Sequence, residues 1–299
     1  MASAMRIDTM LASRRPVFSF EFFPPDDDEA TERLFRTIAR LREDCHPDFV
    51  SVTCRNHSRA RTLELVQRVH RDLELEPMAH FTCAGATRAE LHEVLDELRD
   101  SGIDNVLALR GDLPDGVDAD HRPADELGHS TDLAELIRDG YDFCIGAACY
   151  PETHAEAVSA EADMANTRLK VDSGASFLIT QLFFDNRAYF DFVARARAAG
   201  VTVPIIPGIM PITSVKQLSR FSSKLFGAHI PTALKEALER RAADPDAIVT
   251  LGAAYATLQC SELLAAGAPG LHFYTLNRSP ATRAILAALL AARPWEIAR

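Results

Sequence analysis

Eight short apolar runs, rich in Val, Ile and Phe and mostly followed by helix-length amphipathic stretches, constrain this chain more than any other feature. They begin near Val17, Phe49, Met78, Asn105, Phe143, Phe177, Val203 and Gly270. Strands that alternate with helices predict parallel pairing, because a parallel neighbour is reached only by a crossover long enough to hold a helix. The segment Arg59–Leu73 carries Leu63, Leu65, Val66 and Val69 near helical spacing. Thr87–Arg99 opens on a capping threonine and sets Leu91, Val94, Leu95 and Leu98 on one face. From Val17 to Ala292 the spacing is roughly 34 residues per unit, which suits an α/β fold of the (β/α)8 TIM-barrel type. Extra helices are predicted before the eighth strand, at Pro231–Arg241 and Ala247–Ala265.

A chain of 299 residues admits one large barrel or two smaller domains, and no Gly-, Ser- or Pro-rich linker divides it. Residues 1–16 read as an N-terminal extension and 17–299 as a single barrel domain. A doubly wound sheet is the alternative, but neither G-x-G-x-x-G nor a Walker-type loop occurs. With 32 basic against 43 acidic residues the net charge is −11, which argues against a nucleic-acid partner. Six cysteines lack metal-ligand spacing, so no metal site is expected. They fit reduced thiols in a cytoplasmic protein. No uninterrupted apolar stretch approaches the length of a membrane span.

Alternation along the strands sorts inward from outward residues. Phe18, Phe20 and Phe22 oppose Ser19 and Glu21; Val50 and Val52 oppose Ser51 and Thr53; Leu107 and Leu109 oppose Ala108, Arg110 and Asp112. The large apolar sets are assigned to the helix layer. The opposite sets then bring Glu21, Thr53, His80, Arg110 with Asp112, Tyr150, Gln181 and Arg278 to the carboxyl-end rim, where barrel enzymes keep their active sites. Glu21 lies among aromatic residues in Phe20-Glu21-Phe22-Phe23, and burial there predicts a raised pKa suited to a general acid. Asp112 follows Gly111 and, taken alone, is equally a turn residue or a helix cap.

Over nearly its whole length the chain resembles the methylenetetrahydrofolate reductase family. The resemblance rests on Phe18-Ser19-Phe20-Glu21-Phe22-Phe23-Pro24-Pro25, Val50-Ser51-Val52-Thr53, His80-Phe81-Thr82-Cys83, Leu109-Arg110-Gly111-Asp112-Leu113-Pro114 and Tyr150-Pro151-Glu152-Thr153-His154. It continues through Lys170-Val171-Asp172-Ser173-Gly174-Ala175, Thr180-Gln181-Leu182-Phe183-Phe184-Asp185, Ile206-Pro207-Gly208-Ile209-Met210-Pro211 and His272-Phe273-Tyr274-Thr275-Leu276-Asn277-Arg278. It implies a barrel enzyme of one-carbon metabolism that reduces 5,10-methylenetetrahydrofolate to the 5-methyl form with NADH or NADPH, a step of methionine biosynthesis. By the same resemblance Glu21 is the acid and Asp112 the carboxylate beside the pterin. Gln181, Gln217, Phe221 and Arg278 match substrate contacts. Thr53, His80, Arg110, Gly111, Tyr150, His154, Asp163, Asn166 and Lys170 match cofactor positions.

Departures fall on the flavin side. The family's small-residue loop after the second strand is replaced by Cys54-Arg55-Asn56-His57-Ser58, Leu169 stands where a base is implied, and Gly128-His129 replaces an aromatic-Ala pair. The expectation is therefore weakened or lost FAD binding, with hydride passing directly from the nicotinamide nucleotide to the folate. FAD-mediated reduction is the alternative. A non-catalytic folate-binding paralogue, or a reductase of another reduced pterin with a deazaflavin donor, are readings of other kinds. Pro114–His129 reads either as a loop over the site mouth or as a solvated connection. The helices before the eighth strand leave room for a homo-oligomer interface.

Overall fold

The computed structural model describes residues 5–13, 15–54, 59–112, 125–221, 227–278 and 280–296. A short helix, α1 (Ile7–Leu11), precedes β1 (Val17–Phe22), α2 (Asp28–Cys45), β2 (Phe49–Val52), α3 (Arg59–Leu73), β3 (Pro77–Thr82) and α4 (Arg88–Asp100). Next come β4 (Asn105–Leu109), α5 (Ser130–Gly140), β5 (Cys144–Cys149), α6 (Ala160–Asp172), β6 (Phe177–Thr180) and α7 (Asn186–Ala198). The last third holds β7 (Ile205–Ile206), β8 (Gly208–Ile209), α8 (Lys216–Phe221), α9 (Thr232–Glu239), α10 (Pro245–Ala265), β9 (Gly270–Tyr274) and α11 (Pro280–Ala292).

All paired strands run parallel, in the order β7-β6-β5-β4-β3-β2-β1-β9-β8. The nine segments make the eight strands expected, because β7 and β8 are one strand interrupted at Pro207. Proline has no N–H to continue a ladder. Ile205 and Ile206 pair with β6, Gly208 and Ile209 pair with β9, and the Pro207 carbonyl accepts from the His272 N–H at 3.0 Å. The seventh strand thus brings the two ends of the sheet together.

Register fixes which residues face the lumen. Val17, Phe49, Met78, Leu107, Cys144, Phe177, Ile179 and Ile206 form the interior core, and Ile7, Met10 and Leu11 of α1 close its amino-terminal end. The segment before β1 is latched there: Ile7 N–H donates to Asn105 Oδ1 at 2.8 Å, and the Met5 N–H and Asn105 Nδ2 both donate to the Glu76 carboxylate at 2.9 Å. Phe18, Phe20, Phe22, Val50 and Val52 pack outward under the helices, as their alternation predicts.

For β4 the assignment is corrected. Leu107 and Leu109 belong to the interior, and Ala108 packs under the helices. A filled barrel needs large side chains in its lumen layers, so size alone does not tell lumen from helix layer. Helix ends follow local chemistry: Asp27 caps α2, Thr87 and Glu90 form a capping box on α4, and Asp244 with Pro245 starts α10. Among the described residues one helix, α10, has the length and apolarity of a bilayer span. It buries Ile248, Gly252, Ala256, Cys260, Leu263 and Leu264 within the fold and contacts α11 and α7.

Candidate active site

At the carboxyl ends of β4 and β5, a cleft of about 890 Å³ lies between the amino end of α5 and one face of α6. Its floor includes Thr82, Leu109 and Ala148; its walls include Arg110, Gly111, Asp112, Tyr150, His154, Asp163, Asn166 and Lys170. Asp163, Asn166 and Lys170 recur at helical spacing along α6, so one helix face delivers all three. Eight of the anticipated residues therefore meet around one cavity.

The cleft's polar groups are tied to one another. Arg110 pairs with Glu156 at 3.2 Å. The Lys170 ammonium donates to the Ala148 carbonyl at 2.9 Å and lies 5.4 Å from the centre of the Tyr150 ring. Burial pulls the Lys170 pKa down and pushes the Tyr150 phenol up to about 12. Asp163 accepts the His154 backbone N–H at 3.1 Å, and the His154 ring meets Tyr150 edge-on at 4.4 Å. The Gly128 and His129 N–H groups both donate to Asp132, shaping the amino end of α5, where Ser130 and Thr131 also line the cleft.

Glu21 stands deeper, at the end of β1. Its Oε2 is 3.3 Å from His80 Nε2 and 3.3 Å from His272 Nε2, and His272 Nδ1 is 2.8 Å from Ser19 Oγ. The His272 contact is an aligned hydrogen bond, whereas His80 Nε2 has no aligned partner among the described residues. The expected aromatic surroundings are corrected. Residues adjacent along a strand point to opposite faces, so Phe20 and Phe22 lie in the helix layer while Glu21 shares the lumen with histidines. Burial alone raises the Glu21 pKa, but His80 and His272 outweigh it and hold the carboxyl at about 2. This barrel end thus holds a carboxylate with imidazole partners in place of an isolated neutral acid.

The remaining candidates are more scattered. Thr53 follows β2, and its carbonyl accepts from Thr62 Oγ1 at 2.9 Å. Gln181 follows β6, with its Oε1 accepting the Leu182 N–H. Gln217 Oε1 accepts the Thr213 and Ser214 N–H groups, and Phe221 is buried in a satellite cluster against Phe184. Arg278 is exposed beyond β9, after Leu276 and Asn277, both at positive φ. Residues 55–58, which carry the altered flavin loop, and 113–124, most of the loop anticipated at the mouth, lie outside the described residues.

Sequence reasoning missed His272 and Tyr274. Both have the lumen parity of β9, opposite Phe273, and that alternation is the signal that marks them. Tyr274 donates to the Thr180 carbonyl at 2.7 Å, and its ring crosses Gly208 so closely that a Cβ there would lie 2.6 Å from it. Leu169, a departure from the family pattern, lines the cleft half exposed.

The family profile described as methylenetetrahydrofolate reductase matches residues 6–290. A 5,10-methylenetetrahydrofolate reductase of Pectobacterium carotovorum is 38% identical over 270 residues, covering 89% of this chain and 88% of the relative. The Escherichia coli protein of that name is 38% identical over 269 residues, with the same coverage. A plant relative, methylenetetrahydrofolate reductase (NADH) 1 of Arabidopsis thaliana, is 35% identical over 285 residues, covering 91% of this chain and 48% of its own length. A solved structure of a Clostridium thermocellum protein, described as binding two copies of 5-methyl-5,6,7,8-tetrahydrofolic acid, aligns with a TM-score of 0.64 at 19% identity. It covers 97% of this chain and 99% of that one, and the likeness concerns the fold.

Proposed function

Because the chain belongs to the methylenetetrahydrofolate reductase family, we propose that it reduces the methylene bridge of 5,10-methylenetetrahydrofolate to a methyl group, using a nicotinamide dinucleotide. The observation that carries this reading is the Glu21 carboxylate at the active end of the barrel, held between two imidazoles. Ring opening breaks a carbon–nitrogen bond, leaves the electron pair on the departing nitrogen and requires a proton there. Glu21 delivers that proton. The bridge carbon becomes an iminium, which Asp112 stabilises electrostatically and which a hydride then converts to methyl. Gln181, Gln217, Phe221 and Arg278 contact the folate, with Arg278 meeting its anionic tail.

Arg110, Tyr150, His154, Asn166 and Lys170 would hold the nucleotide, whose dihydronicotinamide supplies the hydride. Thr53, His80, Gly111 and Asp163 complete that region. The same cleft is a poor match for a resident flavin. Its cations Arg110 and Lys170 are accompanied by Asp112, Glu156 and Asp163, and Leu169 offers no charge to a diphosphate. A prosthetic group must survive dilution, whereas a co-substrate need only bind at its working concentration. We therefore favour direct transfer from nucleotide to folate.

The test is the visible spectrum of the purified protein together with anaerobic oxidation of NADH, then NADPH, with methylenetetrahydrofolate present. Turnover without a flavin absorbance is expected. Stoichiometric bound FAD that NADH bleaches would refute direct transfer, and absence of folate-dependent oxidation would refute the reductase itself.

A further inference from the structure

We propose that His272 stores the proton that Glu21 passes to the departing nitrogen. The inference rests on the reductase reading above but comes from a different part of the structure, the chain Ser19–His272–Glu21 inside the barrel. His272 and Ser19 are both fully buried, so a proton on this imidazole has no direct route to bulk water. Its Nε2 faces the Glu21 Oε2 at 3.3 Å. Its other nitrogen, Nδ1, faces the Ser19 hydroxyl at 2.8 Å.

A hydroxyl is the partner that tolerates both charge states of the ring. When the ring is an imidazolium, Nδ1–H donates to Ser19 Oγ, whose own proton turns to the Leu271 carbonyl, 3.5 Å away. When the proton has left Nε2, the neutral ring keeps Nδ1–H, which still donates to Ser19 Oγ. A carboxylate in place of Ser19 would hold the imidazolium more tightly and oppose release of its proton.

The other faces of the ring are closed by chemistry that does not compete. Phe49 stacks on it at 6.2 Å between centroids, and Tyr274 meets it edge-on at 5.3 Å with its hydroxyl engaged by Thr180. Among the described residues, Glu21 and Tyr274 are the ionisable groups that face His272, and His80 approaches the same carboxylate from β3. His80 Nε2 is equally near Glu21, at 3.3 Å, but unaligned.

In the step itself, the Nε2–H bond of the His272 imidazolium breaks and its proton moves to Glu21. The carboxyl passes a proton to the departing nitrogen, whose bond to the bridge carbon breaks with the electron pair kept on nitrogen. Glu21 ends as the carboxylate it was, and His272 ends neutral. After product leaves, the open side of Glu21 returns a proton from solvent.

The experiment compares the parent with His272→Gln, Ser19→Ala and His80→Gln by kcat across pH and by folate affinity measured in equilibrium titration. His272→Gln should lower kcat about tenfold or more near neutral and alkaline pH, with the deficit shrinking in acid, where solvent protonates Glu21 directly. Folate affinity should stay within about twofold, and Ser19→Ala should show a smaller loss of the same shape. A pH-independent loss accompanied by weakened folate binding, or the pH-dependent loss appearing in His80→Gln instead, overturns the proposal. Nitrogen-15 spectra of the ligand-free parent, assigned by the signal missing from His272→Gln, should show both ring nitrogens protonated near neutral pH. A singly protonated His272 overturns the proton store whatever the turnover, whereas a parent inert toward methylenetetrahydrofolate overturns the reductase reading and leaves the spectra to decide the store.

Discussion

Glu21 and Glu76 are largely buried carboxyl groups at opposite ends of one barrel, and their surroundings push them in opposite directions. At the carboxyl end, His80 and His272 overcome the cost of burial and hold Glu21 at about 2. At the amino end burial dominates, Asp104 adds repulsion, and the Met5 N–H and Asn105 offset it only in part, leaving Glu76 at about 7. Burial alone does not set the charge of a buried acid; its partners do. The end with imidazole partners is arranged for chemistry, and the end with a peptide latch is arranged for holding the chain in place, in keeping with the division of labour in barrel folds.

The largest test of that contrast is Glu21→Gln, which keeps shape and removes the proton. Folate-dependent NADH oxidation should fall about 100-fold to 10,000-fold, with the protein still folded by circular dichroism. A loss below about tenfold would break the assignment of proton handling to this end. Next comes Ile7→Ala in α1, a fully buried side chain under the barrel. It should cost about 2–5 kcal/mol in urea unfolding while kcat of the folded fraction is unchanged. A negligible cost would mean that α1 merely covers the barrel end.

Arg110→Ala should raise KM for the nucleotide about tenfold, equivalent to about 1.4 kcal/mol, with a smaller change in kcat. An unchanged nucleotide KM would remove Arg110 from the nucleotide site. The smallest effect is expected from Glu76→Gln. Because the folded-state pKa of Glu76 lies above its ordinary 4.5, the proton favours the folded state. Its contribution is complete below 4.5 and is lost as pH rises from there through about 7. Thermal midpoints measured from about pH 5 to 8 should fall less steeply in Glu76→Gln than in the parent, with turnover equal in the two.

The barrel was legible because its signal is periodic: strand and helix spacing repeats along the chain, and each unit reports on itself. Site chemistry was less so. The rim position of Glu21 follows from strand parity, but its charge depends on His272, which is 251 residues distant in sequence and adjacent only through the β1–β9 register. Size failed as a guide at β4 because Leu107 and Leu109 fill a lumen as readily as they cover a helix. Gln217 and Phe221 were named by resemblance, yet the self-capping role of Gln217 is a property of the α8 turn, which no motif describes.

Gly208 has a consequence for how sequence changes in this protein should be scored. By composition, a glycine-to-alanine exchange is among the mildest substitutions, and it touches no acid, base or nucleotide contact. Yet a methyl group at 208 would lie 2.2 Å from the Thr180 carbonyl oxygen and 2.6 Å from the Tyr274 ring, the two groups joined by the tyrosine's hydrogen bond. Tyr274 is paired in register with Glu21 and meets His272 edge-on, so the displacement would reach the carboxylate through its immediate neighbours. A variant here would leave every candidate acid, base and binding side chain in place and still lose the site, so inheritance of those side chains is not by itself inheritance of the activity.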